Sequence, residues 1–239
     1  MDKGKDLEKN EKSRKLGIKI ILRLPLFIIL QATILFVSAG RIDMPRAWIY
    51  VVAIIIYYPT FLLLVYKHNS ELIYQRACGT RRGTKPWDRV LMPTVVIIPY
   101  IQLAVIGLDV GRFQLSSLST HFTVLGLMLL VIAATLIIWA MVTNPYFEPT
   151  VRIQEDRGHL VITTGPYKIM RHPGYLSGIL WPISTSFITG SVFGLIPAGI
   201  VILPYIIRTW LEDKMLMSEL NGYAEYARRV KYRLFTGLW

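Results

Sequence analysis

The apolar residues of this chain come in long uninterrupted runs, and those runs bound what it can fold into. Residues 18–39, 47–66, 90–110 and 121–143 are each dominated by Ile, Leu, Val, Phe and Ala. Each has the roughly 20-residue length at which a helix crosses a bilayer's hydrocarbon core. A helix satisfies its backbone polar groups internally, as lipid requires. The overall balance agrees: of 239 residues, 53% are hydrophobic and 18% charged, too apolar for an ordinary soluble domain. The expected fold is all-α and multi-pass.

Two shorter apolar segments, 176–189 and 192–207, are joined by Gly190-Ser191 and read as a tight helical hairpin. They bring the expected number of spans to about six. A polar helix over 208–230 and a tail ending at Trp239 follow. Residues 1–17 form a solvated charged tail, and the run after them is too long for a signal-peptide core and lacks a small-residue cleavage site. Pro93 and Pro99 are expected to kink the third span. The chain therefore divides into the tail at 1–17, transmembrane helices over 18–143 with a basic interfacial loop at 67–89, and a C-terminal unit over 144–239.

The net charge of +12 raises nucleic acid as a partner, but its distribution argues against that. Lys and Arg sit between the apolar runs instead of on one folded face, as the positive-inside rule places them. With both termini in the cytoplasm of a cell-membrane protein, only Arg41, Arg46 and Arg112 fall on the opposite side. Cys78 is the single cysteine, which excludes an intrachain disulfide. His68, His121, His159 and His172 lack metal-ligand spacing, and no CxxC occurs. Nucleotide-binding glycine fingerprints are also missing.

The segment 144–175 is the longest non-apolar stretch in the body of the chain. Within it, "GPYKIMRHPGY" gathers Gly, Pro, Tyr, Lys, Arg and His between membrane helices. Its prolines fix backbone φ and its glycines allow close approach. It reads either as a functional loop or as a rigid connector whose cations meet lipid phosphate. In "RTWLEDKMLMSEL", Arg208 and Glu212 are four apart and share a helix face. They form either a surface ion pair or, at a membrane boundary, a functional pair. In "GYAEYARRVKYRLFTGLW", Tyr223, Tyr226, Tyr232 and Trp239 read as headgroup anchors, with Arg228, Arg229 and Lys231 facing anionic lipid.

Together, "GHLVITTGPYKIMRHPGYLSG", "RTWLEDKML" and "GYAEYARRVKYRLFTGLW" resemble the isoprenylcysteine carboxyl methyltransferase family over residues 144–239. Phospholipid N-methyltransferases share the general pattern. The resemblance implies S-adenosylmethionine as methyl donor, held without a Rossmann domain in a cytoplasm-facing pocket. It nominates His159, Leu160, Gly165, Tyr167, Arg171, His172, Pro173, Tyr175 and Gly178 around the cofactor. It also nominates the acidic pair Glu212 and Asp213, with Arg208 upstream. This chain has Glu-Asp where many relatives have Glu-Glu, and Phe235-Thr236 where an aliphatic residue and Pro are common.

The residue types suit that chemistry. Arg or His can bind the cofactor's carboxylate, Glu its ammonium, and Tyr or Pro faces its adenine. An ionised carboxylate acceptor needs only an orienting arginine, for which Arg208 or Arg171 is nominated. An amine acceptor would need a base, Glu212 or His172. The reading is a membrane methyltransferase acting on a lipophilic acceptor that enters from the bilayer, without metal. The first expectation is carboxyl methylation of an isoprenylcysteine-like substrate. N-methylation of a phospholipid or small amphiphile, and a non-catalytic membrane scaffold, are the alternatives.

Overall fold

The computed structural model describes residues 24–77, 83–235, 237 and 239. The tail at 1–17, Cys78, and Arg81 and Arg82 of the basic loop lie outside the described residues. The helices are α1 (Leu24–Ala39), α2 (Pro45–Ala77), α3 (Pro86–Ile106), α4 (Thr120–Thr143), α5 (Pro173–Thr189), α6 (Leu195–Glu219) and α7 (Tyr223–Arg229). No strand occurs among the described residues. The all-α expectation holds. Four stretches are long and apolar enough to cross a membrane: Pro45–Ile73, Pro86–Phe113, Thr120–Thr143 and Leu195–Glu219. The described part of α1 and all of α5 are shorter, so four helices, not six, have spanning length among the described residues.

Several expected boundaries move. α2 does not stop at residue 66 but runs to Ala77, bending at Asn69, whose backbone leaves helical geometry (φ −150°, ψ 59°). The Asn69 amide donates to the carbonyls of Met141 (2.8 Å) and Asn144 (3.3 Å), satisfying free acceptors at the end of α4. The bend thus pins the cap of a neighbouring helix. Pro93 and Pro99 lie inside the continuous α3, which passes into a π-helical stretch, Gly107–Phe113. There the buried Asp109 accepts from Ser116 Oγ and Ser191 Oγ, tying the α5–α6 turn to the end of α3.

The largest correction concerns the polar helix expected at 208–230. Residues 208–219 are the last turns of α6, continuous with its apolar part. The chain breaks only at Leu220–Gly222, where Gly222 is left-handed (φ 81°), before the short α7. Helical hydrogen bonding is local and does not stop where side chains turn polar. One rigid rod therefore carries Arg208, Glu212 and Asp213 out of the apolar layer. At that same end lie the segment 144–172 and the start of α3.

Candidate active site

The motif segment is shaped by its breakers. Gly165 sits in left-handed geometry (φ +58°), and a Cβ there would lie 2.6 Å from Thr143 Oγ1 and 3.0 Å from the Trp139 indole nitrogen. A glycine is needed for both reasons. The short 3₁₀ turn Gly165–Lys168 then buries the Tyr167 ring. Its hydroxyl accepts from the Asn144 amide at 3.1 Å, while burial pushes its pKa up. Arg171 and His172 follow as non-helical backbone paired with the C-terminal tail: Arg171 N donates to Tyr232 O (3.0 Å) and His172 N to Arg233 O (2.9 Å). Pro173 opens α5, where its fixed φ suits a first helical position.

Asp213 is the hub beneath this motif. It is 1% exposed. Its Oδ1 accepts from Arg171 Nε (2.7 Å), Tyr223 (2.9 Å) and His172 Nε2 (3.3 Å), and its Oδ2 from Arg171 Nη2 and Arg233 Nε (both 2.8 Å). Arg171 also donates Nη1 to the carbonyls of Val230 and Lys231. A buried carboxylate with this many donors is satisfied by protein alone. Tyr223 and Tyr226 are accordingly buried, at 4% and 2% exposure, and are not the headgroup anchors expected from sequence. Tyr226 donates to Tyr167 O at 2.7 Å. Arg228, Arg229 and Lys231 are exposed, as expected.

One turn earlier on α6, Arg208 is not paired with Glu212. Its Nε meets Asp88 Oδ1 at 2.8 Å, its Nη2 donates to Pro149 O at 2.9 Å, and its guanidinium lies 5.2 Å from the Tyr175 ring centroid. Asp88, wholly buried at the start of α3, also accepts from Val151 N at 2.8 Å. Glu212 instead accepts from the Tyr175 hydroxyl. The shared helix face holds, but each charge turns to a partner on another element.

The segment 146–159 forms a strap over the same region. Arg152 chelates Glu148 (Nε–Oε2 2.8 Å, Nη2–Oε1 3.1 Å) and bonds Asp156 (2.7 Å). His159 packs against Tyr146 with ring centroids 4.5 Å apart. Its Nδ1 accepts from Gln154 N at 3.4 Å, leaving Nε2 to carry the proton of the neutral ring. Burial first, then the charges of Arg152 and Arg157, lowers the His159 pKa to about 4.

These parts enclose a cavity of about 300 Å³. His159, Leu160, Tyr167, Arg171, His172, Pro173, Tyr175, Arg208 and Glu212 all line it; Gly165, Gly178 and Asp213 do not. Gly178 lets Tyr205 of α6 press against α5, since a Cβ there would sit 2.3 Å from the ring. The wall also uses residues that the motif reading missed, among them Met92, Asn144, Tyr146, Gln154 and Tyr205. Arg76 belongs to the basic loop read from sequence, and here it reaches the same wall, donating to Phe147 O at 2.9 Å. Asp88 carried no signal, because its partner Arg208 is distant in the chain. A second cavity of about 400 Å³ lies among α1, α2, α3, α5 and α6, lined by Tyr50, Tyr57, Tyr58, Tyr100 and Trp181. Val95, Val96, Ile137, Gly174 and Tyr205 line both, so the cavities share a wall.

Comparison with known proteins converges on one family. The model of the isoprenylcysteine carboxyl methyltransferase family matches residues 124–218, starting earlier than the motif resemblance and stopping before α7. A probable protein-S-isoprenylcysteine O-methyltransferase of Oryza sativa subsp. indica is 23% identical over 190 residues, covering 77% of this chain and 93% of that protein. The cobalt-zinc-cadmium resistance protein CzcN of Cupriavidus metallidurans is 35% identical over 80 residues, 32% of this chain and 36% of that one. Among solved structures, the eukaryotic intramembrane Ras methyltransferase ICMT (isoprenylcysteine carboxyl methyltransferase) shares the fold. It aligns with a TM-score of 0.52 and 18% identity, over 87% of this chain and 71% of that one. Motif, fold and sequence relatives agree in their likeness to the isoprenylcysteine carboxyl methyltransferase family, whose model matches the chain over residues 124–218.

Proposed function

We propose that this protein is an integral membrane methyltransferase that uses S-adenosylmethionine to methylate the carboxylate of an isoprenylcysteine-like amphiphile. The observation that carries the reading is the meeting of 159–175 with Arg208 and Glu212 around one cavity, in a chain whose relatives are named for this reaction. The residues fit such a cofactor. Glu212 has one oxygen held by Tyr175 and a second to receive an ammonium. His159 presents a neutral N–H donor, and Tyr146 and Tyr175 offer ring faces to an adenine.

When bound, the cofactor supplies an electrophilic methyl group on a sulfonium centre. A carboxylate acceptor is ionised at neutral pH, so no side chain has to remove a proton. The protein's contribution is alignment and exclusion of water. Arg171, His172 and Asp213 position the motif from behind. Arg208, neutralised by Asp88, holds the Tyr175 ring in place. The apolar part of the acceptor would occupy the aromatic second cavity. In this reading the protein resides in the cell membrane with both termini cytoplasmic. The clustering of Arg76, Lys85, Arg152, Arg157 and Arg171 at the cavity end supports that orientation.

Calorimetry on detergent-solubilised protein tests the cofactor. Wild type should bind S-adenosylmethionine, and Glu212→Ala should weaken it by about tenfold or more through loss of a charge-assisted contact. No binding by wild type at millimolar ligand would sink the reading. Methyl-labelled cofactor with membranes should yield a base-labile product. A base-stable methylamine would replace the carboxylate with an amine acceptor.

A further inference from the structure

We infer that Arg76 binds the acceptor's carboxylate, so that methyl-acceptor recognition resides on α2 and not on the arginines of the motif. The inference rests on the methyltransferase reading and specifies its acceptor site. Four arginines line the cavity: Arg76, Arg152, Arg171 and Arg208. Three of them already hold carboxylates of the protein. Arg152 chelates Glu148, Arg171 chelates Asp213, and Arg208 meets Asp88. For an incoming anion to use one of these, it would have to displace a buried partner.

Arg76 differs. Its contacts among the described residues are one hydrogen bond to Phe147 O (2.9 Å) and the Phe147 ring, 5.7 Å from the guanidinium carbon to the centroid. No carboxylate among the described residues pairs with it. A guanidinium carries five N–H donors in a planar fork matched to a carboxylate. The donors that Phe147 leaves unused remain available at the cavity wall. Burial lowers its pKa, to about 10, and the Glu148 carboxylate, itself chelated by Arg152, offsets this only in part, so Arg76 stays cationic at neutral pH with its desolvation incompletely relieved. An acceptor carboxylate would relieve it.

Position agrees with charge. The nearby groups acting on Arg76 include Tyr57 and Tyr205, and both line the aromatic cavity. Tyr205 belongs to both cavities. An amphiphile with its apolar body among the tyrosines would present its head group beside Arg76. Arg208, held by Asp88, faces the same space without a free charge to offer.

The cofactor also has a carboxylate, and the experiment separates the two sources. N-acetyl-S-farnesylcysteine and its carboxamide are the probes, with wild type, Arg76→Gln and Arg76→Lys in detergent. S-adenosylmethionine affinity is measured first for all three. It reports both folding and the methyltransferase reading itself, whose failure would appear in wild type regardless of residue 76. Wild type should bind the acid about tenfold or more tightly than the amide. Arg76→Gln should abolish that preference and raise the acceptor KM by about 10- to 100-fold, with cofactor affinity within about twofold of wild type. Arg76→Lys should recover part of the loss, keeping charge but not the fork. The inference is overturned if wild type binds cofactor but shows no acid preference, if Arg76→Gln retains the preference, or if cofactor affinity is what falls.

Discussion

At the scale of single residues, side-chain chemistry was readable and pairing was not. Arg208 and Glu212 stand out by their four-residue spacing, Arg171 and His172 by the motif that contains them, and all four line one cavity. Their partners come from far along the chain: Arg208 meets Asp88, and Arg171 meets Asp213 and the tail carbonyls. Spacing reports which residues share a helix face, whereas ion pairing depends on which other elements approach it. His159 supplies the residue-scale prediction. Its folded pKa of about 4 lies below the unfolded value near 6.5. Above pH 6.5 both states hold the ring neutral and stability is unaffected. As pH falls from about 6.5 to about 4 the unfolded state takes up the proton first, so stability declines, and below about 4 the loss levels off. An NMR titration of the His159 ring should give a midpoint near 4, and His159→Gln should remove this part of the acid sensitivity of thermal unfolding. A midpoint near 6.5 would refute the buried, cation-flanked placement.

At the scale of elements, hydropathy located the helices but misplaced their ends. Hydropathy reports the surroundings of side chains, while a helix continues wherever its backbone bonds can form. α2 therefore runs on past its apolar stretch to Ala77, and α6 carries Glu212 and Asp213 beyond its own. The α4–α5 contact also depends on one small residue. A Cβ at Gly126 would lie 2.7 Å from Ile188 N and 2.9 Å from Phe187 Cβ, backbone and near-backbone atoms that cannot swing away. Gly199 on α6 has nothing within 4 Å of such a Cβ. Gly126→Ala should destabilise by about 1–3 kcal/mol through overpacking, whereas Gly199→Ala should be neutral or slightly stabilising through helix propensity. Paired thermal melts in detergent check the contrast, and equal shifts would count against the packing.

At the scale of the whole molecule, the cavity is an assembly. α2 gives Arg76, α3 gives Met92 and Val95, the strap gives His159, α5 gives Tyr175, and α6 gives Arg208 and Glu212. The tail braces it from outside, through Tyr232 and Arg233 carbonyls on the motif backbone and Arg233 on Asp213. Deleting residues 231–239 should leave the spanning helices inserted, because none of them lies in the tail. The deletion should still weaken S-adenosylmethionine binding by about tenfold or more, because Arg171 and His172 lose backbone partners and Asp213 loses a donor. Membrane extraction assays and calorimetry report the two effects separately. Unchanged affinity would mean that the motif holds its shape without the tail.

The apolar runs by themselves dictated an all-helical membrane protein, since hydrocarbon accepts only chains that satisfy their own backbone. The local motif "GPYKIMRHPGY" likewise marked a segment that lines the cavity, because its glycines and prolines act on their own φ and need no distant partner. Tertiary structure decided which charges remain unpaired. Asp88 reaches Arg208, Asp213 reaches Arg171, and Arg76 is left facing the cavity, a distribution set by contacts between residues tens of positions apart that no local pattern encodes.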